Sequence, residues 1–323
     1  MWAKVISSDN LCYCLIVQYK LHRKEEGEMF VDGIVIINKP KGCTSHDVVS
    51  KVKRIFNTKV GHTGTLDPNA TGVLPLLMGQ GTKLSYYLVE HDKEYTVTLQ
   101  LGIKTDTADS EGNMIEEKEV PIELLSKKNV EQVFQSFVGK QKQTPPMYSA
   151  IKIKGKKLYE YARKSETVEI PSREIEIYKM ELSQIKLEEK QIIFHVKCSK
   201  GTYIRSLCED IAEKLETVGY MKELNRTMVG NFRIEDSVTI EELEQNQNNQ
   251  EYIQKNVITI EDFFANKNKD INLDEKKLNL FLNGVQLTYR LKDGLYRIYN
   301  GSTFIGIGLV KNTLLKREII VEN

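Results

Sequence analysis

Gly61-His62-Thr63-Gly64-Thr65-Leu66-Asp67-Pro68-Asn69-Ala70-Thr71-Gly72-Val73-Leu74-Pro75 is the segment around which the rest of the chain organises. Glycines, threonines, prolines and one carboxylate make an irregular loop whose backbone can approach a ligand closely. Leu66, Ala70, Val73 and Leu74 are too apolar to wave in solvent, so the loop should pack inward and hold Asp67 on rigid structure. On these residues alone Asp67-Pro68 can equally be a turn-former. Residues 60–82 as a whole are expected to be mostly loop.

On the N-terminal side, residues 33–38 form a β-branched run that reads as a strand, and Lys39-Pro40-Lys41-Gly42 ends it in a turn. Ser45 then opens an amphipathic helix as its expected N-cap, with Val48, Val49, Val52, Ile55 and Phe56 on one face. On the other side, Leu84 to Val89 reads as a short helix, Tyr95 to Leu101 as a strand and residues 129–138 as a helix. Pro145-Pro146 argues for extended chain. Residues 173–183 and 191–198 alternate as a hairpin, and Thr202 opens a helix with Ile204, Leu207, Cys208, Ile211 and Leu215 inside. Strands mixed with helices without regular βαβ spacing predict an α+β fold with a mainly antiparallel mixed sheet over residues 29–250. The Asn- and Gln-rich run Gln245 to Gln250 reads as a linker. Residues 295–299, 303–310 and 315–321 read as three strands of a small β domain over 251–323.

Composition narrows the function classes. The chain has 323 residues, 40% hydrophobic and 28% charged, which suits a soluble globular protein with a substantial core. No stretch approaches the ~20 apolar residues of a membrane span. The apolar run 11–17 lacks the flanks of a signal peptide. Lys24-Glu25-Glu26-Gly27-Glu28 can be encoded by a purine-rich run resembling a ribosome-binding site. Met29 is therefore the expected native start, with residues 1–28 an extension. The five cysteines show no C-x-x-C spacing. Cys198 and Cys208 read as buried, and a cytoplasmic location without a metal site fits best.

A net charge of +1 hides a split. Gly139 to Lys164 carries eight Lys or Arg and one acid, while Glu235 to Asp262 carries eight acids and one Lys. The basic stretch suits a polyanion, although two solvated faces would look the same.

The Gly61–Pro75 segment resembles the signature loop of the TruB family of pseudouridine synthases, and further motifs follow the family's order. Asn38-Lys39-Pro40-Lys41-Gly42-Cys43-Thr44-Ser45 resembles its opening motif, and Asp92-Lys93-Glu94-Tyr95 the segment carrying its active-site tyrosine. Gln143 to Lys152 with Leu158 to Arg163, and Cys198-Ser199-Lys200-Gly201-Thr202-Tyr203-Ile204-Arg205-Ser206-Leu207, resemble two more. The likeness runs from about Phe30 to Phe232, with a weaker match beyond.

The resemblance implies a pseudouridine synthase fold with a small PUA-like C-terminal domain. The implied activity is isomerisation of the T-loop uridine at tRNA position 55, after the base flips out of its stack. Asp67 is then the catalytic carboxylate, Arg205 its ion-pair partner, and Tyr95 a stacking ring and proton relay. His62 would fill the gap left by the flipped nucleotide and Leu224 would pack on the uracil. Gly64, Thr65 and Tyr203 would also contact substrate. Lys39 would either contact phosphate or brace the loop. Without the resemblance, Tyr95, His62 and Leu224 read as ordinary structural residues. The chemistry implies no cofactor and no metal; the partner is the T-arm of tRNA, and a monomer is expected. Asn225 and Met228 stand where bacterial members often have arginines, which puts backbone contacts there in doubt. Two other classes remain: a non-catalytic RNA-binding module, also conceivable as a tRNA folding chaperone, and a guide-RNA-dependent synthase. A hydrolase lacks a Gly-x-Ser-x-Gly motif and metal-spaced histidines.

Overall fold

The computed structural model describes residues 31–321 apart from 89, 90, 165, 167 and 266–268. Residues 1–28 and the expected start at Met29 lie outside the described residues.

Strand β1 (Gly33–Lys39) runs into helix α1 (Ser45–Phe56), followed by β2 (Val60–His62) and β3 (Thr71–Met78). After β4 (Lys93–Leu101) come the small hairpin β5 (Ile103–Thr105) and β6 (Met114–Glu117), helix α2 (Lys127–Gln135) and β7 (Gly139–Gln143). A two-residue pair, β8 (Lys152–Ile153) and β9 (Lys156–Lys157), sits in the basic stretch. The long hairpin β10 (Arg173–Lys186) and β11 (Gln191–Cys198) leads to helix α3 (Ile204–Lys214), β12 (Gly219–Val229) and β13 (Phe232–Arg233). Helices α4 (Ile240–Gln245) and α5 (Gln250–Asn256) precede β14 (Val257–Ile258).

These strands build one large sheet in the order β14-β1-β3-β12-β4-β11-β10-β7, with β2 on β3 and β13 on β12. Every pairing is antiparallel except β3 with β12, which meet in parallel at Asn225↔Thr71 and Arg226↔Gly72. The fold is therefore α+β with a mainly antiparallel mixed sheet, as expected.

Three differences from expectation have physical reasons. Residues 60–82 are not mostly loop, because Thr71–Met78 is an interior strand buried on both faces. Leu74, Leu76 and Met78 pack toward α1, while Val73 and Leu77 pack on the opposite side. A strand buried on both sides shows no alternation. Its Pro75 falls between the residues paired with β2 and those paired with β12, where no ladder N–H is needed. Second, the N-cap of α1 is Thr44, which forms a capping box with Asp47, leaving Ser45 buried for another task. Third, the Gln245–Gln250 run is a tight connection between α4 and α5, whose Leu243 and Ile253 share one core cluster. The large sheet thus extends to Ile258 on β14, so the expected boundary at 250/251 falls inside the segment that closes its edge.

The C-terminal residues form β15 (Lys269–Asn272), helix α6 (Glu275–Leu282), β16 (Leu287–Thr288), β17 (Gly294–Asn300), β18 (Thr303–Lys311) and β19 (Leu314–Ile320). Their five-stranded sheet has the order β15-β17-β18-β19-β16 around its own core. Ile307 and Ile319 of this sheet join Ile34 and Ile36 of the large one, and Leu84 in the turn after β3, in a shared apolar cluster. The expected hairpin and C-terminal strands are where the alternation placed them; β15 and α6 were not legible.

Candidate active site

Asp67 sits in the loop between β2 and β3, which several buried side chains hold down. Ser45 Oγ accepts from the Leu66 N–H at 2.9 Å and donates to the Leu66 carbonyl at 3.2 Å. Lys39 is wholly buried beneath the loop, and its ammonium donates to the carbonyls of Pro40 (2.9 Å), Pro68 (3.0 Å) and Ala70 (2.7 Å). An ammonium has three donors and all three are used. Of the two expected roles for Lys39, these three bonds and its burial are what a brace would show. The Ala70 N–H closes the turn on the Asp67 carbonyl at 3.0 Å, so the turn-forming reading of Asp67-Pro68 also holds locally.

Helix α3 brings in Arg205, which is 7% exposed. Gln143 fixes the start of that helix. Its amide donates to the Tyr203 carbonyl at 3.0 Å and accepts from the Tyr203 N–H at 2.8 Å. Tyr203 is thus placed as the N-cap of α3. Arg205 then reaches Asp67 through Nε to Oδ2 at 3.2 Å and Nη2 to Oδ1 at 3.4 Å, a two-pronged ion pair. Its Nη2 also donates to the Tyr148 carbonyl at 2.9 Å, and Nη1 lies 3.5 Å from Asp109 Oδ2.

Asp109 was not singled out from the sequence. It is buried in the loop between β5 and β6, where Oδ1 accepts from the Thr107 hydroxyl (2.6 Å) and the Glu111 N–H (3.0 Å). Arg205 therefore bridges two carboxylates. Burial pushes the Asp67 carboxyl above its ordinary value; Arg205 pulls it back, Asp109 pushes it up again and Lys39 opposes that. Glu111, raised first by burial and then by Asp109 and Asp67, completes an acidic wall.

Asp67, Asn69 and Ala70, with Asp109, Ser110, Glu111, Met221, Lys222 and Leu224, line a small pocket that opens to solvent. Leu224 and Tyr95 belong to the core cluster that contains Leu66 and Ala70. Tyr95 is 7% exposed, and burial raises its phenol to about 12, with the Asp67 charge adding to the rise. It lies opposite Arg226 in register on the neighbouring strand. Arg226 is 1% exposed and donates to the carbonyls of Val73 (2.8 Å) and Gly64 (3.1 Å). Gly72 permits this crossing: at φ +102° a Cβ there would sit 2.2 Å from the Arg226 carbonyl oxygen.

His62 stands at the far end of the loop on β2. Its Nδ1 accepts from the Gly64 N–H at 3.3 Å, which leaves the proton on Nε2. Burial holds its pKa down, and Arg226 lowers it further. Thr65 is exposed at the rim. The structure thus sets Asp67 and Leu224 on one pocket, pairs Arg205 with Asp67, buries Tyr95 in the core cluster shared with Leu224, places Lys39 and Gly64 as supports, and leaves His62, Thr65 and Tyr203 outside the pocket lining. Asp109 and Arg226 went unread, while Ser45 and Gln143 were read only as a helix cap and as parts of motifs; the partners that give Ser45, Gln143 and Arg226 their tertiary roles, and Arg205 beside Asp109, lie far away in sequence.

A carboxylate held between burial and a guanidinium, beside a phenol and an apolar floor, can add to or accept a proton from a flat, neutral ring. Residues 53–204 match the N-terminal domain of the TruB family of pseudouridylate synthases, and residues 205–265 match the C-terminal domain of tRNA pseudouridylate synthase B. Among curated proteins, tRNA pseudouridine synthase B of Caldanaerobacter subterraneus is 44% identical over 293 residues, 89% of this chain and 98% of that protein. The protein of the same name from Clostridium kluyveri is 44% identical over 294 residues, 88% of this chain and 98% of its own. Among solved structures, a Cbf5-Nop10-Gar1 complex contains a chain that superposes with a TM-score of 0.64 at 23% identity, covering 94% of this chain and 91% of that one. That last likeness is one of fold.

Proposed function

The chain belongs to the TruB family of pseudouridylate synthases, and from this membership we propose that it converts the T-loop uridine at position 55 of tRNA to pseudouridine, with Asp67 as the reacting carboxylate. Transfer RNA pseudouridylation is the activity carried by its relatives' names. The reaction breaks the N1–C1′ bond, turns the uracil and forms the C5–C1′ bond, while one proton moves from C5 to N1. No atom is gained or lost, and no redox partner or cofactor enters.

The observation that carries the assignment is the two-pronged pairing of Asp67 with Arg205 at 3.2 and 3.4 Å. The pairing keeps a partly desolvated carboxylate ionised and fixes its direction while one side faces the pocket. Leu224 supplies an apolar surface for the flipped uracil. Tyr95 supplies a phenol within electrostatic reach of Asp67. His62, on the loop rim, takes the space the flipped base vacates.

The basic stretch from Gly139 to Lys164 is the surface for the T-arm. Its tyrosines are already engaged with cations, Lys157 and Arg163 over Tyr159 and Lys156 over Tyr161. Such a surface suits backbone and shape recognition of folded RNA.

The test is tritium release from a tRNA transcript labelled at uridine C5, with purified protein alone and no guide RNA. Wild type releases tritium and Asp67→Asn releases none; equal release from both would overturn the role of Asp67. A T-arm stem-loop should serve as substrate by itself, whereas a need for a guide RNA would favour the guided class. Asp67→Asn, with its binding surface intact, also isolates the folding-chaperone role, read as recovery of aminoacylation by a misfolded transcript.

A further inference from the structure

Strand β12 breaks its own alternation beside the pocket. Met221 pairs with Leu99 and Glu223 with Thr98 on β4, so Lys222 is an extra residue in the ladder, a β-bulge. The Met221 N–H donates to the Ala108 carbonyl at 3.1 Å, which docks the loop carrying Asp109 against the strand. In a regular strand Met221 and Leu224, three residues apart, would face opposite sides of the sheet. The bulge instead brings Met221, Lys222 and Leu224 onto one pocket, while the exposed Glu223 carboxylate lies 4.0 Å from Lys41.

The charges on that pocket are unequal. Its lining holds the acids Asp67, Asp109 and Glu111, and Lys222 is the cation among them. The other cations around the loop are engaged. Lys39 serves three carbonyls, Arg205 serves Asp67, Asp109 and the Tyr148 carbonyl, and Arg226 serves the carbonyls of Gly64 and Val73. Lys222 is half-buried, and among the described residues its ammonium has one partner, the Gln100 side-chain oxygen at 3.4 Å. That oxygen already accepts from the Gln191 amide at 3.0 Å. An RNA strand that delivers a nucleotide to Asp67 sets its own phosphates beside three acids, and like charges repel. A lysine with a weak partner offsets that repulsion, because its point charge on a flexible four-carbon stem can turn to a phosphate.

We propose that Lys222, placed at the pocket by the bulge in β12, binds a phosphate flanking the nucleotide that enters the site. The inference rests on the proposed reaction at Asp67 and adds to it a substrate-binding residue outside the basic stretch from Gly139 to Lys164.

The test pairs Lys222→Gln with a T-arm stem-loop in which each phosphate flanking the target uridine is replaced in turn by an uncharged methylphosphonate. Tritium release gives kcat/KM, and filter binding gives the slope of log Kd against log salt. On the unmodified stem-loop Lys222→Gln lowers kcat/KM by ~3- to 30-fold, between an exposed ion pair and a buried charge-assisted hydrogen bond. The salt slope falls by about 0.7–0.9, the share of one phosphate. A methylphosphonate at the contacted position costs wild type a similar factor, and costs the variant less than about twofold more, because the interaction is already gone. Equal losses in wild type and variant at both positions, or an unchanged salt slope, would overturn the inference and leave the role of Asp67 standing. No release by wild type from the unmodified stem-loop would remove the proposed reaction, and the inference with it. Should Lys222→Gln melt early, Lys222→Met keeps the apolar stem and takes its place in the same cycle.

Discussion

Replacing Lys39 by methionine separates a brace from a phosphate contact. The ammonium satisfies three carbonyls at 2.7–3.0 Å and has no exposed surface. An unsatisfied buried polar group costs about 1–3 kcal/mol, so three orphaned carbonyls would exceed ~3 kcal/mol. Against this, the variant no longer buries an ammonium, which burial already disfavours enough to lower its pKa. The balance is a loss of roughly 2–4 kcal/mol, or a fall in Tm of about 5–15 °C for a domain of this size. Two measurements test it: calorimetric melting, and the slope of log Kd for tRNA against log salt from 50 to 200 mM. Each phosphate contact contributes about 0.7–0.9 to that slope, and Lys39→Met should leave it unchanged. A slope smaller by about one contact, with Tm intact, would refute the brace.

Arg205→Gln removes the cation that holds Asp67 ionised against burial and Asp109, so the Asp67 pKa rises further. The acid limb of the pH–rate profile should move to higher pH; an unmoved limb in a folded variant argues that Arg205 does not act through the carboxylate. Asp67→Asn should abolish turnover without loss of Tm at pH 7. The Asp67 pKa is raised by folding, so ionising it lowers stability as pH climbs from the unfolded to the folded value, and a neutral amide escapes that loss. A Tm several degrees lower would contradict this. Ser45→Ala frees the Leu66 peptide and should destabilise by about 1–3 kcal/mol, with turnover falling more than tRNA affinity. Gly72→Ala places a methyl 2.2 Å from the Arg226 carbonyl oxygen, and soluble expression should drop sharply; a normally folded Gly72→Ala protein would mean β3 and β12 can part easily.

The legible parts of the chain are those whose determinants are local. The β10–β11 hairpin alternates residue by residue, and the face of α3 repeats at helical spacing, so both could be read directly. Strand β3 hid inside a stretch rich in glycine and proline because both its faces are buried, which erases the period that marks a surface strand. The capping residue of α1 was displaced by one, since Thr44 and Ser45 are both competent and only the tertiary contact of Ser45 with Leu66 decides between them. At the site, Asp67, Arg205 and Tyr95 were found through the resemblance and not through spacing. Asp109 and Arg226 were missed because each acts on a partner contributed by a distant element. A lone Asp in a turn-rich loop, or an Arg in a strand, looks like a surface residue until the sheet brings its partner near.

Gln143 bonds both the N–H and the carbonyl of Tyr203, and the Tyr148 carbonyl accepts a hydrogen bond from Arg205. The start of the basic stretch proposed to meet RNA is therefore hydrogen-bonded directly to the helix and the guanidinium that pair with Asp67. A load applied where RNA is proposed to settle would reach the partner of Asp67 through the Gln143–Tyr203 pair and the 2.9 Å Tyr148–Arg205 contact. Recognition and turnover then cannot be tuned separately along this stretch. A survey of substitutions from Gln143 to Tyr148 should find few that weaken the grip on RNA and spare the rate.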